Sequence, residues 1–369
     1  VSIRTLSING VRNLESIDLS PSGTINVFFG ENGSGKTSII ESVHLLAMTR
    51  SFNQARTRTA LSLDADSLEV SGDLTDLGSL SYHREPNGKY RVLINHKPVQ
   101  SISTLAHSVP TQLIYSGTFS LLEGSPSDRR KFLDWGVFHE SEGFLEDWRL
   151  FQKCLKNRNS LLRSGKIDRS ELQVWERGFI DTSVRIDQAR KEYLAIFSPV
   201  FKDILSQLTD LESVELSYSR GWDKTRELAD VLESQKARDC KIGYTQAGPQ
   251  RADLRIRVNR LNAVDVLSRG QQKLVICALK IAQSALLQSQ VTQPTIFLID
   301  DLPSELDERH IKKLCRLLEN IGCQVFMTAV ESAPLVKIWQ QPEQVRMFHV
   351  EHGSVSKVFN LGENNDRKL

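Results

Sequence analysis

Several features are scarce in this 369-residue sequence, and each scarcity excludes a class of protein. With 21 glycines and 11 prolines it is neither collagen-like nor a low-complexity disordered chain. It lacks a long hydrophobic run. The longest apolar stretch, Leu274 to Ala282, is interrupted by Lys280 and falls short of the roughly 18 residues a membrane span needs, so no membrane role is expected. The opening VSIRTLSING reads as a strand without the apolar centre of a secretion signal. Charge of one sign is also missing. Lys and Arg number 47 against 45 Asp and Glu, a net +2, so any attraction to a polyanion must come from local patches. Cysteines are few, odd in number and widely spaced (Cys154, Cys240, Cys277, Cys315, Cys323), a usage that fits small buried hydrophobes in a reducing, cytoplasmic compartment.

What remains is ordinary globular material, 40% hydrophobic and 25% charged, long enough for one large core or two unequal ones. From Val1 to about Pro110 the pattern predicts short strands (SIRTLSI, INVFF, SLEVSGDL, LSYHRE, YRVLIN) interrupted by one helix, Lys36 to Met48, whose Ile39, Ile40, Val43, Leu46 and Ala47 recur at helical spacing. From about Ser125 long helical patterns take over. After Cys240 come helix and strand in alternation, the pattern of a largely parallel sheet. The fold class expected is α/β. A head made of residues 1–124 and 241–369 carries the sheet, and residues 125–240 form an inserted helical arm.

Gly30-Glu31-Asn32-Gly33-Ser34-Gly35-Lys36-Thr37, followed by Ser38, matches G-x-x-x-x-G-K-[ST] between the strand INVFF and the helix TSIIESV. In that context glycines let backbone N–H groups turn toward phosphate oxygens. Lys36 reaches the β and γ phosphates, and Thr37 offers a Mg²⁺ ligand. The apolar strand Thr295-Ile-Phe-Leu-Ile ends in Asp300 and Asp301 at the edge where ligands bind. Asp300 is the expected metal-side carboxylate and Asp301 the group that orients the attacking water. Leu267-Ser268-Arg269-Gly270-Gln271-Gln272-Lys273 opens a helix. There Ser268 either caps the helix or lends its hydroxyl to a phosphate, and Gly270 permits close backbone approach.

This order of motifs, closed by Ser304-Glu305-Leu306-Asp307, resembles the head of ABC ATPases, more closely those of the structural-maintenance-of-chromosomes (SMC) type. Within that group it resembles the bacterial RecF family of recombination-repair proteins. The residues that carry the likeness are Val11-Arg12-Asn13-Leu14, GENGSGKTSIIES, Phe119 to Gly136, Gly248-Pro249 with Arg251 and Asp253, LSRGQQK and LIDDLPSELD. The resemblance implies an ABC-type head with ATP and Mg²⁺ as cofactors and a homodimer formed when ATP is bound. Each ATP then lies between one subunit's phosphate loop and the other's Ser268, Gly270 and Gln271, with Arg12, Asn13 and Asp307 also at the nucleotide. It implies slow, DNA-dependent hydrolysis, binding to duplex DNA beside single-strand gaps or junctions, and joint action with RecR and RecO in loading RecA. The chain departs from the family's pattern at Ser116-Gly117, where a Pro-Glu pair is usual, and at Gln250, where His is common. Gln112 is the candidate for the glutamine that touches metal in such heads.

Two other P-loop classes fit less well. A kinase has no use for the Ser268 to Gln271 element. A transporter subunit carries a His where this chain has Thr328-Ala329, and it lacks an insertion of about 115 residues. A long coiled coil is disfavoured by the lack of sustained heptads and by Gly178 and Pro199. Contacts to DNA are sought among local basic groups. Arg149 to Arg169 holds seven basic residues against one acid, and Lys153, Lys156 and Arg163 share a helix face that serves either phosphate or solvent. Arg50, Arg56 and Arg58 form a second group. Arg129 and Arg130 open a helix against its dipole and so need a carboxylate or a phosphate partner. Trp135, Trp148 and Trp175 read as core, and His349-x-x-His352 as too sparse for zinc.

Overall fold

The computed structural model describes residues 1–52, 60–61, 65–164, 169–291, 294–301 and 306–361. Two compact units divide the chain, the first comprising Val1–Thr118, Gln207–Thr209 and Ser284–Leu369, the second Phe119–Ser206 and Asp210–Gln283. Residues 241–283, read from sequence as head, thus cluster with the helical residues, because strand Asp253–Val258 pairs with Val214–Ser219.

The first unit contains two six-stranded sheets. One is mixed, in the spatial order Ser354–Asn360, Val345–Glu351, Ile25–Phe29, Gln324–Ala329, Ile296–Ile299 and Thr111–Ile114, all parallel except the first. Its central strands are buried along their whole length (Ile296–Ile299 and Gln324–Ala329 entirely), as parallel strands covered on both faces must be. The other sheet is antiparallel, built from Ile3–Asn9, Ile17–Leu19, Leu68–Leu74, Gly78–Arg84, Tyr90–Ile94 and Lys97–Pro98. Helix Lys36–Met48 touches strands of both sheets, and ten of its thirteen residues are buried, including Ser38, Glu41 and Ser42. An all-round buried helix of this kind fixes its own N-terminus, where the phosphate loop ends.

The second unit is mainly helical, with helices Pro126–Glu140, Phe144–Ser164, Arg169–Leu208 and Leu228–Ile242 beside a three-stranded antiparallel sheet. Gly178 and Pro199 do not break their helix. Arg169–Leu208 runs through both for 40 residues. Gly178 is a contact point, because a β-carbon there would come 2.9 Å from Cys154 Sγ, so its absence lets two helices approach closely. Around Pro199, where one helical hydrogen bond is lost, Ser198 Oγ donates to Leu194 O at 2.7 Å. Arg158, counted among the basic residues of the sequence, is wholly buried. It pairs with Asp239 at 3.0 Å and Glu176 at 3.0 Å and donates to Thr245 Oγ1 at 2.7 Å. It pins three helices and is withdrawn from any role at the surface.

Candidate functional site

The phosphate loop joins strand Ile25–Phe29 to helix Lys36–Met48. Gly30 turns at φ 147°, and a side chain there would run into Val350 O. Lys36 is buried, and its Nζ donates to Gly30 O (2.7 Å) and Glu31 O (2.8 Å), so the ammonium is held under the loop. Burial lowers its pKa, against the opposing pull of Asp301 and Asp300. Ser34 Oγ is buried and has no hydrogen-bond partner among the described residues, which suits it to a phosphate oxygen. Glu31, Asn32 and Gly33 are exposed at the rim.

Across the sheet edge, Thr37 Oγ1 donates to Asp300 Oδ1 at 2.9 Å, and Thr328 Oγ1 donates to the same oxygen at 2.9 Å. Strand order explains the second bond, because Gln324–Ala329 lies between the strand before the loop and the strand before Asp300. Burial raises the Asp300 pKa, while bonds from Thr328 and Thr37 hold it down. Asp301 is exposed, adopts a left-handed φ of 55°, and its N–H donates to Thr328 Oγ1 at 2.8 Å. Among the described residues no cluster of three or more His, Cys, Asp or Glu stands ready for a metal. One hydroxyl and one carboxylate in contact do fit Mg²⁺, which completes its shell with water and phosphate. Thr37 and Asp300 are the residues that would hold it.

The structure does not bring Gln112 to this edge. It is 1% exposed, in register with Phe297, three residues before Asp300 and so roughly 10 Å back along the strand. Its burial there, on the edge strand Thr111–Ile114, withdraws it as a metal ligand. Arg12 and Asn13 divide their work. Arg12 pairs with buried Glu41, whose carboxylate also accepts from Ser51 Oγ. Asn13 Nδ2 donates to Gly33 O at 3.0 Å and its Oδ1 accepts from Ser38 Oγ at 3.1 Å, which clamps the loop to its helix.

A further clamp escaped sequence reading. Gly353, in the turn of the last hairpin, donates its N–H to Ser34 O (2.8 Å) and accepts from Glu15 N (3.0 Å) at φ 84°. A β-carbon there would run into Asn13 O. The signal available was the turn sequence His352-Gly353 between two alternating strands, but nothing local says that a turn touches a loop 319 residues earlier.

In the second unit, Ser268 and Gln271 form a capping box at the start of helix Arg269–Val291. Ser268 Oγ accepts from Gln271 N (3.3 Å), and Gln271 Oε1 accepts from Ser268 N (2.9 Å). Both residues therefore act as caps while the helix start faces solvent, and a side chain at Gly270 would meet open space. Arg269 pairs with Glu123. Asp307 likewise caps its helix, accepting from His310 N at 2.9 Å, and that bond is the leading cause of its lowered pKa. Ser304 and Glu305 lie outside the described residues.

Of the basic candidates, Arg56 and Arg58 also lie outside the described residues, and Arg50 is exposed. Arg129 is engaged by Asp253 (2.8 Å) and Gly124 O (2.9 Å), and Arg130 by Ala252 O (2.8 Å). The helix-opening arginines thus have protein partners. Lys153, Lys156 and Arg163 are exposed on Phe144–Ser164, opposite its buried Phe151, Cys154, Arg158 and Leu162. The core reading of the tryptophans is corrected for Trp148, which is 37% exposed, while Trp135 and Trp175 are half-buried. No helix among the described residues is long and apolar enough to cross a membrane.

A family model described as RecF/RecN/SMC N terminal domain matches residues 2–356. DNA replication and repair protein RecF of Pseudomonas paraeruginosa is 47% identical over 98% of this chain and 99% of its own length. The RecF protein of Stutzerimonas stutzeri is also 47% identical, over 97% and 98%. Among solved structures, the recombination mediator protein RecF with ATP, of the RecFOR pathway, superposes with a TM-score of 0.81 at 23% identity, covering 96% of this chain and 97% of that one. The Smc head domain from Pyrococcus furiosus gives 0.61 at 15% identity over 98% and 97%. With a near-complete match to its relatives and the fold of an ABC-type ATPase head, the chain belongs to the RecF family.

Proposed function

We propose that this protein is an ATP-gated DNA-binding factor of recombinational repair, a slow ATPase that dimerises around ATP. The observation that carries the reading is the Thr37–Asp300–Thr328 constellation beside Lys36, at the end of a phosphate loop clamped by Asn13 and Gly353. Bound Mg²⁺ supplies charge neutralisation for the phosphates. Lys36 holds the β and γ phosphates, Ser34 and Ser38 offer hydroxyls to phosphate oxygens, and Asp301 orients the attacking water. Asp301 is one methylene shorter than a glutamate and holds that water less closely, which makes hydrolysis slow enough to time the complex.

The solvent-facing cap at Ser268, with open space over Gly270, supports a helix start that meets the γ-phosphate bound by a second copy. The first unit then acts as the part that carries the phosphate loop, and the second as the part that carries both the Ser268 helix start and the helical arm. Duplex DNA beside a single-strand gap lies across the closed dimer, against the Arg50 segment and the stripe Lys153, Lys156, Arg163. By its likeness to the RecFOR protein, the complex works with RecO and RecR toward RecA, in the cytoplasm. Ser268→Arg tests the composite site. The variant binds ATP as the parent does, but sedimentation shows it monomeric with ATP and gel shift shows no ATP-dependent binding to gapped DNA. A variant that dimerises normally refutes the reading.

A further inference from the structure

The antiparallel sheet of the first unit ends in an incompletely paired edge. Its last hairpin joins strand Tyr90–Ile94 to the two-residue strand Lys97–Pro98, and pairing stops at Val99, whose N–H donates to Val92 O at 3.0 Å. From there the chain turns away into helix Ile102–Ser108. Because hydrogen-bonding groups alternate along a strand, the N–H and C=O of Tyr90 face the same side as those of Val92, where the chain has already left. Beside this edge lies a groove of about 380 Å³, a size that admits ligand side chains. Buried Val92 and Leu105 line it together with half-buried Val99 and with Tyr90 and Ile102, which are 45% and 41% exposed.

An open strand edge beside an apolar groove fits an extended peptide, which gives main-chain bonds to the edge and alternate side chains to the groove. Charge selects the peptide's other side chains. From Gly78 to Pro110 the chain has Arg84, Lys89, Arg91 and Lys97 against one acid, Glu85, which accepts from Asn87 Nδ2 at 2.8 Å. Lys89, Arg91 and Lys97 are exposed, Arg91 lines the groove, and among its described lining residues none is acidic. DNA phosphates would answer these cations but have no use for an apolar recess or a free strand edge. We infer that this edge binds an extended acidic peptide of a protein partner, its apolar side chains alternating with Asp or Glu, added as a further strand beside Tyr90. None of these residues belongs to the nucleotide site or to the basic groups placed against DNA, so the surface works whether or not the chain binds DNA.

Fluorescence anisotropy on the full chain, with a fluorescein-labelled peptide of about six residues alternating Asp with Ile and Phe, tests it. The parent binds this peptide saturably, and replacing every Asp by Lys weakens binding at least about tenfold. N-methylation of one alternate set of peptide amides weakens binding about tenfold or more, whereas methylation of the other set leaves it within about twofold, as addition to a strand edge requires. Ile102→Asp weakens binding about tenfold. The residue opens a helix, where a carboxylate is tolerated, and unchanged circular dichroism shows the fold intact. Arg91→Glu reverses the preference between the acidic and the lysine peptide. No saturable binding by the parent, no preference for the acidic peptide, equal effects of the two methylation patterns, or parental affinity in Ile102→Asp each overturns the inference. So does loss of gapped-DNA binding in Arg91→Glu with peptide binding unchanged, which would give these cations to DNA.

Discussion

Replacing Thr328 by valine keeps the volume of a fully buried side chain and removes its hydroxyl, which separates packing from hydrogen bonding at the paired aspartates. Two bonds go with the oxygen, one donated to Asp300 Oδ1 at 2.9 Å and one accepted from Asp301 N at 2.8 Å. A bond to a charged partner is worth about 1.5–3 kcal/mol and a neutral one about 1 kcal/mol. With water partly replacing the bond at exposed Asp301, the fold loses about 2–3 kcal/mol. At 2–4 °C per kcal/mol for a unit of this size, calorimetry shows melting lowered by roughly 4–12 °C.

The kinetic consequence is larger than the stability loss implies. Asp301 holds a left-handed φ of 55° that a non-glycine residue rarely adopts, and Thr328 anchors its N–H there. Without the anchor the carboxylate no longer orients water, so kcat falls at least about tenfold. KM for ATP stays within about threefold, because Lys36 and the loop are untouched. The acid limb of the pH–rate profile moves to higher pH, since burial already raises the Asp300 pKa and the lost bond was one that held it down. Thr328→Ser restores the limb and most of kcat. A valine variant that turns over ATP with the parental pH profile refutes the assignment of Thr328 as the residue that positions both aspartates.

Legibility in the sequence followed chemical specificity. The loop Gly30 to Thr37 between its strand and helix, and the apolar strand before Asp300, were readable because a glycine-rich turn into a helix and a buried strand each carry a local pattern. Ser268 and Gln271 were readable as a helix start, and the capping box is the local physics that placed them there. Gln112 misled because a polar residue in a short apolar run carries no sign of depth. Register with Phe297 sets it three residues back from the Asp300 end of the sheet, where it is buried. Arg158 misled in the same way, since a charge count along Arg149 to Arg169 cannot distinguish a buried arginine answered by Asp239, 81 residues later, from its solvated neighbours. Gly178 and Pro199 were read by propensity as breaks, and packing in a 40-residue helix overrode it. Contacts from distant segments, such as Gly353 on Ser34, have no signature within a window of local sequence.

Gly353→Ala places a methyl group against Asn13 O at a φ of 84°, so the turn must shift away from the loop. Fluorescent-nucleotide titration then shows ATP affinity weakened about tenfold or more, and parental affinity would remove the turn from the site. Arg158→Ala leaves Asp239 buried without its cation and destabilises the second unit by about 3–5 kcal/mol. Calorimetry detects this as an earlier transition, while ATP affinity stays within about twofold. Asp300→Asn separates stability from function through the sign of a pKa shift. Burial raises the Asp300 pKa above its value in the unfolded chain, so the folded state binds that proton more tightly, and ionisation weakens the fold as pH rises through the raised pKa. Asparagine keeps an oxygen for Thr37 and Thr328 and has no charge to bury. The variant without nucleotide therefore melts higher than the parent at pH 7, and the difference disappears on acidification below the unfolded carboxylate range. Mg²⁺-dependent ATP hydrolysis falls at least about a hundredfold in the same variant, because the metal-side carboxylate is gone. A variant that melts lower than its parent at neutral pH would show that the Asp300 charge stabilises this edge of the sheet rather than being held there for the metal.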